Sequence, residues 1–137
     1  MVPRAYLLDT SALLTLIEDE PGAKRVEEIL RGERCFLPWP VLLEVHYVSR
    51  QEQGQGEADR RYTFLKQLPR KILWEIDEPT LLTASRLKAS HRISLADALI
   101  AAFAQRQNAT LVHKDPEFEV LKDQMDLESL PYKSGSA

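Results

Sequence analysis

Four acidic side chains interrupt apolar segments of this 137-residue chain. Asp9 stands in "YLLDTSALL" and Glu44 in "PVLLEVHYV", while Asp97 is the lone charge in "SLADALIAAFA" and Asp115 follows "TLVHK". Each has a local explanation. An Asp caps helix starts, Ser94 with Asp97 resembles a capping box, and a Glu can occupy the narrow polar stripe of a packed helix. Taken together, the four positions also predict a shared acidic site.

The chemistry of a shared site follows from the properties of carboxylates. Acidic side chains that converge repel one another unless a cation neutralises them. Carboxylate oxygens favour Mg²⁺ or Mn²⁺ over zinc, and the single Cys and three His of the chain do not resemble a zinc quartet. A divalent ion in such a pocket binds phosphate and activates water for in-line attack. The residue types thus predict a Mg²⁺ or Mn²⁺ site, provided that the fold brings the four side chains together.

An alternation of strands and helices is expected to position these side chains. Apolar runs predict strands at residues 5–8, 34–38, 71–76 and 110–114, with a marginal strand near 127–130. Helical spacing and capping residues predict helices at 10–20, 21–32, 40–53, 57–68, 77–92, 94–107 and 116–124. This alternation indicates a parallel sheet that helices cover on both faces.

The expected sheet places two of the acidic residues at one edge. Asp9 directly follows the first strand and Asp115 follows the fourth. Both therefore come off the carboxyl ends of strands, where open α/β sheets bind their ligands. Thr10 or Ser11 is expected to cap the first helix.

Length and composition are those of one globular domain. Residues 1–131 are expected to form it, and residues 132–137 a flexible C-terminal tail. The net charge of −3 excludes a broadly basic nucleic-acid binder, so any contact with nucleic acid must be local. Cys35 is the only cysteine, which fits a reducing cytoplasm, and no apolar run is long enough to span a bilayer.

The segments "YLLDTSALL", "PVLLEVHYV", "SLADALIAA" and "LVHKDPEF" closely resemble the four motif regions of PIN-domain nucleases, in the same order and across nearly the whole chain. The size is similar to that of the VapC-type toxins of toxin–antitoxin pairs. The resemblance implies a three-layer α/β/α PIN-like fold with a twisted, mainly parallel central sheet. It also implies Mg²⁺- or Mn²⁺-dependent hydrolysis of RNA phosphodiester bonds, a homodimer, and a cognate VapB-like antitoxin.

The same resemblance assigns roles to individual residues. The implied catalytic and metal-binding residues are Asp9, Glu44, Asp97 and Asp115. Ser11 matches the small polar residue that supports the site after the first Asp. One departure is His113, because many relatives carry Thr two residues before the last acidic residue. Glu117 is therefore an alternative to Asp115 as a ligand, or its outer partner.

A second interpretation is a non-catalytic PIN-like module that binds RNA or protein, with an acidic pocket weakened at His113. The amphipathic helices between Pro21 and Leu68 could form a dimer or antitoxin surface, or could simply face the sheet. Several cationic residues are scattered along the chain, and two explanations fit them equally well: contacts to RNA phosphates, or ordinary solvated helix faces. They are Arg60, Arg61, Arg86, Lys88, Arg92 and Lys114.

Overall fold

The computed structural model describes residues 4–133 of the chain. The strands in this range are β1 (Ala5–Leu8), β2 (Arg34–Pro38), β3 (Lys71–Leu73), β4 (Thr110–His113) and β5 (Leu127–Ser129). The helices are α1 (Thr10–Ile17), α2 (Ala23–Gly32), α3 (Trp39–Gln53), α4 (Gln55–Lys66), α5 (Glu78–Ser90), α6 (Leu95–Arg106) and a 3₁₀ helix at Pro116–Leu121. Of the predicted tail, positions 134–137 lie outside the described residues. Within residues 4–133, no helix combines the length and the apolar character that crossing a membrane requires.

The strands form one sheet in the order β3-β2-β1-β4-β5. Every neighbouring pair is parallel, which confirms the predicted sheet type. β1 is central, because Tyr6 pairs with Cys35 of β2 on one side and with Thr110 of β4 on the other. All four residues of β1 are buried, as expected for a strand that is covered on both faces.

Helices cover both faces of this sheet. The chain runs from β1 through β2 to β3 and then crosses back to β4, on the other side of β1. Right-handed crossovers therefore place α1 to α4 on one face and α5 and α6 on the opposite face. In agreement, α1 packs against α2 and α3, α3 against α4, and α5 against α6. The expected three-layer α/β/α architecture is confirmed.

The edge strand β3 is shorter than predicted, because it ends at Leu73 instead of residue 76. Its neighbour β2 pairs Pro38 with Leu73, and the next residue, Trp39, begins α3. Trp74 consequently has no strand to pair with, and 53% of it is exposed. β3 thus ends where its partner becomes a helix.

Three capping residues fix how helices leave the strands. Asp9 caps α1, in place of the predicted Thr10 or Ser11, because its side chain accepts a hydrogen bond from the Ala12 amide. Ser94 caps α6 as predicted. Asp115 caps the 3₁₀ helix, where an α-helix over 116–124 was expected. Asp9 and Asp115 follow the adjacent strands β1 and β4, so they lie at the same carboxyl edge of the sheet.

Candidate metal centre

Asp9 is buried directly after the central strand. Its Oδ1 atom accepts a hydrogen bond from the Ala12 amide at 2.7 Å, and the Ser11 hydroxyl donates to the carboxylate at 2.8 Å. The pKa of Asp9 is raised to about 7, chiefly by burial, while both hydrogen bonds oppose the rise. The charges of Asp115 and Glu44 raise this pKa as well. The buried Asp9 carboxyl group at the sheet edge therefore interacts electrostatically with the side chains of Asp115 and Glu44.

Asp97, Asp115 and Glu117 form a close acidic group on the other side of the site. One carboxylate oxygen from each lies within 4.8 Å of the other two. Local hydrogen bonds fix their backbone: the Ser94 hydroxyl accepts from the Asp97 amide at 3.1 Å, and Asp115 Oδ1 accepts from the Glu117 amide at 2.9 Å. Burial raises the pKa of Asp97, and a hydrogen bond with Glu117 and the charge of Asp115 raise it too. Carboxylates this close to one another repel, and a bound cation would offset that repulsion.

Glu44 reaches this site from α3. The Thr10 hydroxyl donates a 2.5 Å hydrogen bond to Glu44 Oε1, which ties Glu44 to the neighbour of Asp9. The Glu44 charge acts on Asp9, and the Asp9 charge acts in turn on Asp97. The four acidic residues singled out in the sequence thus lie in one electrostatically connected cluster. Their role as metal ligands stays a prediction.

Ser11 connects this cluster to the end of β4. Its hydroxyl oxygen accepts a hydrogen bond from the Lys114 amide at 2.8 Å while the hydroxyl donates to Asp9. The Lys114 ammonium group is almost fully buried and pairs with Glu20 at 3.5 Å. Lys114 therefore does not behave as the solvated phosphate contact considered for it. Its backbone amide, held by Ser11, is what fixes the turn into Asp115.

His113 is a buried residue that also supports the turn between β4 and Asp115. Its Nδ1 atom accepts a hydrogen bond from the Asp115 amide at 3.1 Å. Burial lowers the pKa of His113, which favours the neutral ring that this acceptor role requires. Its ring packs on Phe118, with the ring centroids 5.2 Å apart. The residue that departs from the family pattern thus holds the backbone of Asp115 in place.

The donor set suits a hard divalent cation. Within residues 4–133, no Lys, Arg or His side chain forms an ion pair with any of the five clustered carboxylates. Lys114, the neighbour of Asp115 in the chain, pairs with Glu20 instead. Unneutralised carboxylates at close range favour an oxygen-ligated ion such as Mg²⁺ or Mn²⁺. The residues present therefore fit the ion that the sequence predicted.

Two side chains matter more in the structure than in the sequence. Glu117, expected to be either a substitute for Asp115 or its outer partner, lies in the acidic group together with it. Thr10, expected to cap a helix, instead binds a carboxylate 34 positions away. Its sequence neighbours gave no signal of that contact, because it depends on how α1 packs against α3.

The family model of the PIN domain matches residues 6–124. The fold is similar to VapBC2 from Rickettsia felis, solved with a DNA fragment from its promoter: the TM-score is 0.75 and the identity 19%, over 93% of this chain and 99% of that one. A toxin–antitoxin complex from Klebsiella pneumoniae gives a TM-score of 0.70 at 17% identity, over 93% and 99% of the two chains.

A third similar structure is VapC20 from Mycobacterium tuberculosis, described as a toxin that cleaves the sarcin–ricin loop. The TM-score is 0.68 and the identity 13%, over 84% of this chain and 93% of that one. At such low identities the structural matches show the fold alone. No curated protein matches the chain significantly.

Proposed function

Because the chain belongs to the PIN-domain family, we propose that it is a Mg²⁺- or Mn²⁺-dependent endoribonuclease that hydrolyses RNA phosphodiester bonds. The observation that carries this proposal is the set of buried and half-buried carboxylates that converge without a neutralising cationic side chain in residues 4–133. Such a set is costly for a fold to maintain unless a cation binds there. An oxygen-ligated divalent ion is suited to binding phosphate groups, so a phosphodiester is the expected class of substrate.

In this proposal Asp9, Glu44, Asp97 and Asp115 hold the cation, with Glu117 beside Asp97. A bound divalent ion would polarise the phosphate and lower the pKa of an attacking water. The chain itself holds two of these carboxylate-bearing residues in fixed positions. Asp9 is held by the Ala12 amide and by Ser11, and the backbone of Asp115 by His113. Water is the nucleophile in this proposal, so the reaction requires no Ser or Cys nucleophile.

The biological role that we propose is the VapC-like toxin of a toxin–antitoxin pair, acting as a homodimer and held inactive by a VapB-like antitoxin. The support is the similarity in fold to VapBC2, to the Klebsiella pneumoniae complex and to VapC20, over nearly the full length of each.

Expression of the chain alone should arrest growth, and Asp97→Asn should relieve the arrest. Co-expression of a small open reading frame from immediately upstream should do the same. Light scattering on the purified chain should give twice the mass of one chain.

The nuclease activity is tested with two substitutions. Asp9→Asn and Asp97→Asn each remove one negative charge with little change of shape, so both should lower Mn²⁺-dependent cleavage of RNA by about 100-fold or more. Asp123→Asn is the matched control, because Asp123 is an exposed acid outside the cluster. Cleavage products on a denaturing gel give the rates, and circular dichroism verifies that each variant is folded.

Retained turnover in both purified variants would refute the assignment. Titration calorimetry with Mn²⁺ separates the nuclease from the non-catalytic module, because a module that only binds RNA or protein need not hold a metal ion. Binding of Mn²⁺ to the wild-type chain, and its loss in Asp97→Asn, is the result expected of the nuclease.

A further inference from the structure

Thr10 stands next to Asp9, in the first turn of α1, and bonds to a different helix. Its hydroxyl donates to Glu44 Oε1 at 2.5 Å, which is at the short end of the range for a hydrogen bond between oxygen atoms. Thr15, farther along the same helix, shows the usual alternative, because its hydroxyl donates to the Ser11 carbonyl one turn earlier. Thr10 is the first residue of α1, so no earlier helical turn offers it a carbonyl. Its hydroxyl is consequently available to Glu44.

Glu44 needs such a partner in order to stay at the site. Its side chain is half-buried and long, and Glu is among the residues that lose most rotamer freedom when they are ordered. The nearby charge of Asp9 repels it when no cation is bound. In the part of the chain that the structure describes, the Thr10 hydroxyl is the single hydrogen-bond donor to the Glu44 carboxylate. This hydrogen bond involves only Oε1, so the Oε2 atom of Glu44 remains available to bind a cation.

We propose that Thr10 is a positioning residue, which holds the Glu44 carboxylate beside Asp9 so that the cation site is assembled before the ion arrives. The inference rests on the proposed function, since it assumes that Glu44 binds the ion. Asp9 and Thr10 then have complementary tasks: one supplies a carboxylate from the end of β1, and the other holds a second carboxylate from α3.

The test compares variants that keep or remove the hydroxyl donor. Thr10→Val is nearly isosteric but cannot donate, whereas Thr10→Ser keeps the donor. Titration calorimetry of Mn²⁺ into the metal-free chain should show an affinity about fivefold weaker for Thr10→Val, as expected for the loss of one net hydrogen bond. Thr10→Ser should remain within about twofold of the wild type. Thr10→Ala, which removes the donor without adding a methyl group next to the carboxylate, should match Thr10→Val.

A second background shows whether Thr10 acts through Glu44. When Glu44→Ala is already present, adding Thr10→Val should not weaken Mn²⁺ binding further. Unchanged affinity in Thr10→Val, or an equal loss with and without Glu44, would overturn this inference while leaving the nuclease proposal intact. A wild-type chain that does not bind Mn²⁺ would instead overturn the proposed function, and this inference with it.

Discussion

His113 shows how a buried side chain can support a site without touching a ligand. Its Nδ1 atom satisfies the Asp115 amide, and its ring fills the space next to Phe118. A buried amide that loses its acceptor costs about 1–3 kcal/mol. The imidazole therefore matters here as a hydrogen-bond acceptor and a packing group.

Two substitutions at His113 separate these contributions. His113→Leu fills the space but removes the acceptor, so it should lower the free energy of unfolding by about 1–3 kcal/mol and weaken Mn²⁺ binding through the freed Asp115 turn. His113→Asn keeps an acceptor near the position of Nδ1 and should preserve Mn²⁺ affinity despite its smaller volume. Urea unfolding and titration calorimetry measure the two quantities. Equal Mn²⁺ affinities in the two variants would contradict the acceptor role.

At the scale of single residues, the sequence indicated which carboxylates to examine but not how they are held. Asp9 and Asp97 were conspicuous because each is a lone charge in an apolar segment. For Asp9 and Asp115 the capping explanation and the site explanation both apply, since the same carboxyl group that caps a helix also belongs to the cluster. The bond from Thr10 to Glu44 was not predictable, because it joins two helices whose packing no local pattern encodes.

At the scale of elements, Gly22 determines how the start of α2 packs against the residues that follow β5. It caps α2 with φ 108°, a conformation that side-chain-bearing residues rarely adopt. A Cβ atom at this position would lie 3.2 Å from both Leu130 Cβ and Pro131 Cδ. Glycine is therefore required here for backbone conformation and for space.

Gly22→Ala should consequently lower the free energy of unfolding by about 1–3 kcal/mol. Gly32→Ala is the matched control at the other end of α2. No neighbour lies within 4 Å of its added Cβ, so alanine should be neutral or stabilising by up to about 1 kcal/mol. Thermal unfolding of both variants at equal concentration measures the difference. A Gly22→Ala variant as stable as Gly32→Ala would show that α2 adjusts its approach freely.

The sequence predicted most elements, and the errors have physical causes. The strands around the site were predicted well because they are short apolar runs in a sheet covered on both faces. β3 was predicted too long, because its end is set by Pro38 and Trp39 of the neighbouring strand and helix rather than by its own residues. Leu95 belongs to the apolar segment "SLADALIAAFA", yet it is 63% exposed as the first residue of α6.

At the scale of the whole molecule, the acidic cluster links folding to pH and to cations. A carboxyl group whose pKa is raised on folding stabilises the fold fully below its unfolded pKa, and this stabilisation is lost as the pH rises through its folded pKa. Asp9 and Asp97 both shift in this direction. The metal-free chain should therefore become less stable as the pH rises, and a cation should restore the loss. His113 shifts the other way, so its contribution opposes theirs at low pH.

Comparison with Asp97→Asn isolates this effect, because His113 is present in both chains. In the presence of EDTA at pH 8, Asp97→Asn should melt about 5 °C above the wild type, and the difference should shrink towards pH 5. Adding Mn²⁺ at pH 8 should raise the melting temperature of the wild type but not that of Asp97→Asn. Differential scanning calorimetry provides all six melting temperatures, those of the two chains under the three conditions. A metal-free Asp97→Asn variant that melts below the wild type at pH 8 would contradict this linkage.

The central place of β1 has a consequence for how the chain is made. β1 is synthesised first, but its partner β4 begins only at Thr110, and Asp97 and Asp115 flank that strand. On a ribosome, one edge of β1 stays unpaired until residues 110–113 have emerged. A polypeptide that has not yet reached Asp115 therefore cannot assemble the acidic cluster, so under the nuclease proposal any hazard to the translating cell begins only after that residue has been made.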